Sequence, residues 1–201
     1  LADDSFVLIE CNSNDVASMD KEFEADLIQK GMICPSCNRI RSDADISHIT
    51  VQGVINDSPV GMVTWGIGVA RKEFLYCLGE EVVHRDLHVG PVDNMRGKRL
   101  DNWVMFRAKH RILVRSGPDH AGCRVCETCG NIYYFALGAP YLVKPLPRSD
   151  VGIFYSGSMD LVVRGGLTRQ MREKKWRKVK FTPLEILDQP RDGLGSLAMS
   201  Q

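Results

Sequence analysis

The chain lacks any long apolar run, and nothing in it approaches the roughly 18 consecutive apolar residues of a membrane-crossing helix. It also lacks an excess of charge of either sign. Lys and Arg number 26 against 25 Asp and Glu, a formal net charge of +1, so the whole-chain field draws it neither to nucleic acid nor to an anionic membrane. Aromatics are sparse at 7%, which also counts against nucleic acid as a partner. There is no G-x-x-x-x-G-K-[ST] phosphate loop, no G-x-S-x-G elbow and no H-E-x-x-H pair. A deaminase-type H-x-E with P-C-x-x-C is missing too, because Pro35 lies between two cysteines instead of before them. With no legible nucleophile–base pair or cofactor loop, the expectation is a protein that binds and does not catalyse. The opening Leu1-Ala2-Asp3-Asp4 has neither the basic nor the apolar region of a signal peptide, which points to a cytoplasmic setting.

What the chain does have is cysteine in pairs. Five of its seven cysteines lie in two clusters, Cys34-Pro35-Ser36-Cys37 and Cys123-Arg124-Val125-Cys126-Glu127-Thr128-Cys129-Gly130. Two Cys separated by two residues can turn both sulfurs onto one ion while intervening N–H groups face them. Four thiolates close a tetrahedral structural zinc site. Gly130 after Cys129 suits the left-handed backbone that ends such a knuckle, and Asn38 after Cys37 is the next most tolerant residue. Zn2+ held by Cys34, Cys37, Cys126 and Cys129 is therefore the leading reading. Cys123 is a spare thiol and His120 a nearby imidazole, either of which could replace a ligand. The pair Cys126/Cys129 is favoured over Cys123/Cys126 because Glu127, which follows the latter, is a poor left-handed residue.

Other uses of cysteine fit less well. Disulfides need an oxidising compartment, and an odd number leaves one thiol over. A thioredoxin-like redox pair needs one C-x-x-C at a strand-to-helix junction, not two remote copies. Buried unligated thiols suit Cys11 and Cys77, which sit among apolar residues. His84 and His88 have the i,i+4 spacing that would suit a metal on a helix, but their Val- and Leu-rich neighbours predict a strand and ordinary hydrogen-bonding histidines.

Apolar content of 44% and charged content of 25% in 201 residues predict one α+β domain over 1–187, with a loose tail at 188–201. Strands are expected at residues 5–11, 46–55, 82–92, 111–115, 151–155 and 179–187, the last interrupted by Pro183, with a hairpin from 132–137 and 141–143. Helices are expected at 69–80 and 167–176, and a loop or helical turn in the acidic stretch Asp15–Asp26. Scattered strands with a few helices imply a mixed or antiparallel sheet. Between Cys37 and Cys126 lie 88 residues, far more than in a compact zinc ribbon, so the metal would bring together knuckles from remote parts of a larger fold.

The segment 164–180 carries Arg164, Arg169, Arg172, Lys174, Lys175, Arg177, Lys178 and Lys180, with Trp176 among them. It could lie along phosphates with Trp176 stacked on a base. The plainer reading is the solvated face of a surface helix, with Leu167, Met171 and Trp176 turned inward.

The order of these features resembles the bacterial double-CxxCG motif immunity proteins of polymorphic toxin systems. The shared elements are the early C-P-x-C at Cys34–Cys37 and the late C-x-x-C-G at Cys126–Gly130. A segment like Ser149-Asp150-Val151-Gly152-Ile153-Phe154 follows, then a helix and a closing strand like Val179-Lys180-Phe181-Thr182-Pro183-Leu184. Asn38 departs from the glycine of the family motif. The resemblance implies a zinc-bound, non-enzymatic inhibitor whose partner is a cognate toxin protein. The competing reading is a zinc-stabilised nucleic-acid-binding protein using segment 164–180.

Overall fold

The computed structural model describes residues 5–11, 17–41, 43–53, 58–64, 66–115, 124–133, 139–156 and 160–189. Within them, four short helices accompany two five-stranded mixed sheets, the expected α+β class. In chain order the strands are β1 (Phe6–Cys11), β2 (Ile49–Val51), β3 (Val60–Thr64), β4 (Ile67–Arg71), β5 (Leu87–Asn94) and β6 (Arg99–Ala108), then β7 (Arg124–Val125), β8 (Ile132–Tyr133), β9 (Tyr141–Val143), β10 (Ile153–Tyr155), β11 (Leu161–Arg164) and β12 (Val179–Leu187). One sheet runs β10-β11-β1-β12-β9 and the other β2-β5-β6-β4-β3; β7 and β8 form a hairpin of their own. All pairings are antiparallel except β9 with β12 and β2 with β5.

Side chains alternate across each strand, and here both faces of both sheets are covered. Val7 and Ile9 of β1, Val163 of β11, and Val104 and Phe106 of β6 meet in a core between the sheets. Phe6 and Leu8 of β1 and Val162 of β11 enter a second cluster on the far face of the first sheet. Val69 of β4 and Trp103 and Met105 of β6 enter a third on the far face of the second. That third cluster takes in Leu27, Ile33 and Ile40, so the first cysteine turn is seated on the back of the second sheet. Gly68 is required where β4 crosses β6, because a Cβ there would run into the Phe106 ring.

The acidic stretch is a helix start. Asp20 caps α1 (Lys21–Gln29), its carboxylate accepting from the backbone N–H groups of Glu22 and Phe23 at 3.1 Å. Glu22 and Glu24 then lie in the first turn, where the helix dipole favours negative charge. Asp15 lies outside the described residues.

Several sequence expectations are corrected. The helix expected at 69–80 begins later and breaks: Val69 and Ala70 pair with Met105 and Val104 in the sheet, α2 spans only Lys72–Leu75, and a 3-10 turn covers Tyr76–Leu78. Gly79, at φ +94°, breaks the chain before α3 (Glu80–Asp86). The strand expected at 82–92 starts only at Leu87, since acidic Glu80 and Glu81 in the first turn and His84 and Arg85 in the last suit a helix. The strand expected at 46–55 shrinks to Ile49–Val51, with 54–57 outside the described residues. Among the described residues the hairpin from 132–137 to 141–143 is not formed: Ile132–Tyr133 folds back onto Arg124–Val125, Tyr141–Val143 pairs parallel with β12, and 134–137 lie outside the described residues. Residues 111–115 make only isolated bridges at Arg111 and Arg115. The helix expected at 167–176 is a 3-10 turn at Gly165–Thr168 followed by α4 (Arg169–Glu173). Pro183 does not interrupt β12, because pairing with β9 begins only at Glu185 and Pro183 lies where β12 has β1 alone beside it.

Candidate metal centre

The two cysteine turns repeat one backbone design. In the first, the Asn38 N–H donates to the Cys34 carbonyl at 2.8 Å, the Cys34 N–H donates to the Arg39 carbonyl at 2.9 Å, and Ile33 bridges to Ile40. In the second, the Gly130 N–H donates to the Cys126 carbonyl at 2.7 Å, the Cys126 N–H donates to the Asn131 carbonyl at 2.9 Å, and Val125 pairs with Ile132. Asn38 and Gly130 occupy the same left-handed position, at φ +53° and +67°. Three side-chain contacts between the turns join equivalent residues 92 apart: Cys34 to Cys126, Ser36 to Thr128 and Cys37 to Cys129. That is the pattern of two like units facing each other about an approximate two-fold axis.

The sulfurs meet at the centre. Cys34 and Cys126 Sγ are 3.7 Å apart, Cys37 and Cys129 Sγ are 3.6 Å apart, and all four lie within 4.8 Å of one another. These separations are far longer than the roughly 2.05 Å of a disulfide. Metal–sulfur bonds of about 2.3 Å in a regular tetrahedron put sulfurs about 3.8 Å apart, so the donor set fits a tetrahedral metal ion. Cys34 and Cys126 are buried, while Cys37 and Cys129 are half-buried on the outer side.

The environment sets the protonation of the sulfurs. Burial pushes the Cys34 thiol up, but the N–H groups of Cys37 and Ser36 and the neighbouring Cys129 and Cys126 outweigh it and bring it to about 6. Cys126 is also held down, chiefly by the Cys129 backbone N–H acting against burial. Burial lifts Cys37 to about 12 and raises Cys129 as well. The two inner sulfurs therefore give up a proton more readily than an ordinary thiol, and the two outer ones hold theirs more tightly. A divalent cation reverses that balance, so loading the site with metal releases protons.

Asn131, 6% exposed, joins the site to its surroundings. Its Nδ2 donates to the Ile40 carbonyl of the first turn at 2.9 Å, and its Oδ1 accepts from Arg111 Nη2 at 2.7 Å. Sequence reasoning missed Asn131. The one available signal was its position two residues after Cys129, matching Arg39 after Cys37.

The chain matches no family model, and no curated protein is significantly similar to it. The resemblance to the double-CxxCG immunity proteins rests on its motifs.

The remaining candidates separate from the centre. His84 lies on α3 with Nε2 3.9 Å from Glu80, and His88 lies on β5, so the two do not share a helix face. Cys77 is half-buried against the central core, its Sγ donating to the Glu73 carbonyl at 3.0 Å. The side chains of Cys11, His120 and Cys123 lie outside the described residues. Since the described sulfurs already supply four donors, Cys123→Ser is expected to leave metal content unchanged and Cys129→Ser to lower it. Elemental analysis with the reverse ranking would show that the wrong pair is assigned.

The basic segment is largely structural at its ends. Arg164 is 7% exposed; it donates to the Val151 and Arg148 carbonyls at 2.8 Å and stacks over Phe6. Lys180 pairs with Glu10 at 2.9 Å. Met171 is buried, and Leu167 and Trp176 pack against the central core, with Trp176 edge-on to Phe74 at 5.2 Å. This is the inward arrangement of the plainer reading, and it places the Trp176 ring against protein. Arg169, Arg172, Lys174, Lys175, Arg177 and Lys178 are left on the surface.

Proposed function

We propose that the chain is a zinc-stabilised binding protein that neutralises a co-encoded bacterial toxin by covering its active site or a surface the toxin needs. The observation that carries the structural half is the set of four sulfurs within 4.8 Å of one another. Zinc is the fitting ion, because four thiolates match its softness and tetrahedral preference and leave no position for water or substrate. Such a centre is a poor Lewis acid for hydrolysis, and its value is to pin two turns 92 residues apart. The toxin half is supported by the motif order at Cys34–Cys37, Cys126–Gly130 and Val179–Leu184. No helix among the described residues is long and apolar enough to cross a membrane.

The exposed cations from Arg169 to Lys178 form a surface that complements an acidic partner, and such charge speeds encounter more than it tightens the complex. The test is co-expression with the toxin-like product of an adjacent reading frame. Growth restored by the wild-type chain, with association slowed at low salt by Lys175→Glu and Arg177→Glu, is the expected outcome. Absence of protection, together with sequence-independent binding of DNA or RNA at physiological salt, would replace this reading with the nucleic-acid one.

A further inference from the structure

A cleft of about 150 Å³ opens where the two cysteine turns meet the second sheet, lined by Arg39, His88, Arg107, Lys109, Arg111 and Tyr155 among others. Four of those six side chains are cations, and no carboxylate is among the described residues that line the cleft. The bonds described for three of these cations run to neutral acceptors. Arg107 donates to the Ala44 and Arg41 carbonyls, Lys109 Nζ to the His84 and Arg85 carbonyls at 2.8 and 3.0 Å, and Arg111 to the Asn131 amide oxygen at 2.7 Å. Neutral acceptors satisfy hydrogen bonds without cancelling charge. The carboxylates facing Arg107 are Asp43 and Asp45, and Asp43 is already held by a two-pronged bond from Arg41. Arg39 is 7% exposed, so part of this charge lies out of water.

We propose that this cleft binds a phosphate-sized oxyanion, held by Arg39, Arg107, Lys109 and Arg111. The volume equals roughly five waters at liquid density, room for an oxyanion, whereas clefts for drug-sized ligands begin near 300 Å³. Guanidinium groups present paired donors that match phosphate and carboxylate oxygens. His88 agrees with this environment: burial, then Lys109 and Arg107, hold its imidazole below the usual value. The cleft also depends on the metal centre, because Arg39 and Asn131 occupy equivalent places at the ends of the two turns. Metal removal separates the turns and with them the walls. The proposal is independent of the toxin reading and uses the metal reading only for that last dependence.

The experiment titrates metal-loaded, full-length protein with inorganic phosphate at constant ionic strength, by calorimetry and amide chemical shifts, with acetate as a second ligand. The expected result is saturable one-to-one phosphate binding, weakened about tenfold or more by Arg111→Gln and by Lys109→Gln, and unchanged by Arg96→Gln in the β5–β6 turn, at the other end of that hairpin from the paired His88 and Arg107. Lys109→Gln carries the test if Arg111→Gln disturbs the metal centre through Asn131. Acetate binding as tightly as phosphate identifies a carboxylate end group as the ligand; phosphate alone identifies a phosphoryl group. No saturable binding of either, or equal weakening by Arg96→Gln, overturns the proposal. Phosphate affinity that survives chelation overturns its dependence on the metal-pinned turns.

Discussion

Replacing Cys34 or Cys126 with serine is expected to abolish metal binding and lower the melting temperature by about 10 °C or more, the scale on which a lost structural metal registers in a chain of this size. The argument is geometric. These are the inner sulfurs of the site, 0% and 5% exposed, and each accepts N–H donors arranged for a thiolate. A serine there puts a weak, hard ligand in a soft site and leaves those donors facing a neutral hydroxyl. Cys37→Ser and Cys129→Ser are expected to lose metal too, with smaller losses of stability, because water can reach the outer side of the site. Elemental analysis and melting curves with and without chelator check this. Chelator should lower the wild-type melting temperature and leave that of Cys34→Ser unchanged, since metal and ligand act as one unit. A chelator effect of equal size in both proteins would dissociate the cysteines from the metal.

Asp86→Ala is expected to be the most damaging change away from the cysteines, at roughly 3–5 kcal/mol, because it leaves buried partners uncompensated. Asp86 is fully buried at the end of α3. Its carboxylate takes a two-pronged bond from Arg85 at 2.7 and 2.9 Å and accepts from the N–H groups of Gly152 and Ile153 at 2.6 and 3.1 Å. It thereby fastens the helix of one sheet's layer to the β10 end of the other sheet. Burial opposes ionisation of Asp86, and Arg85 with the two N–H groups outweighs it, so its pKa lies below the ordinary carboxylate value. A folded value below the unfolded one of about 3.9 gives stability that is present at neutral pH and lost as pH falls through the folded value. The gap between wild type and Asp86→Ala is therefore expected to be full at pH 7 and to narrow below about pH 4. Urea midpoints at both ends of that range measure it, and cysteine titration cancels because both proteins share it. A gap that widens on acidification would contradict the assignment.

What could be read from the chain and what could not divide along physical lines. The cysteine turns were legible because ligand spacing and a left-handed residue are local facts, written at Asn38 and Gly130. The α+β class and strands such as Phe6–Cys11 followed from apolar patterning. The stretch from Val69 to Val92 was misread because both sheets are covered on both faces, so helix and strand alike present continuous valine and leucine. There the pairing of Val69 with Met105, remote in sequence, outweighed local propensity. The basic segment misled at its ends, since nothing near Arg164 announces that its guanidinium is turned inward over Phe6. Asn131, Asp86 and the cations of the cleft were not singled out at all. Asn131 acquires its role from Ile40, 91 residues away, and Asp86 from Gly152, 66 residues away.

The central claim is that four cysteines from two remote turns close one structural metal site. X-ray absorption at the metal edge of the purified full-length protein, combined with elemental analysis, tests it most directly. The account predicts one zinc per chain surrounded by four sulfurs at about 2.3 Å. A shell containing nitrogen or oxygen, or protein free of transition metal with all its thiols titratable, would contradict it.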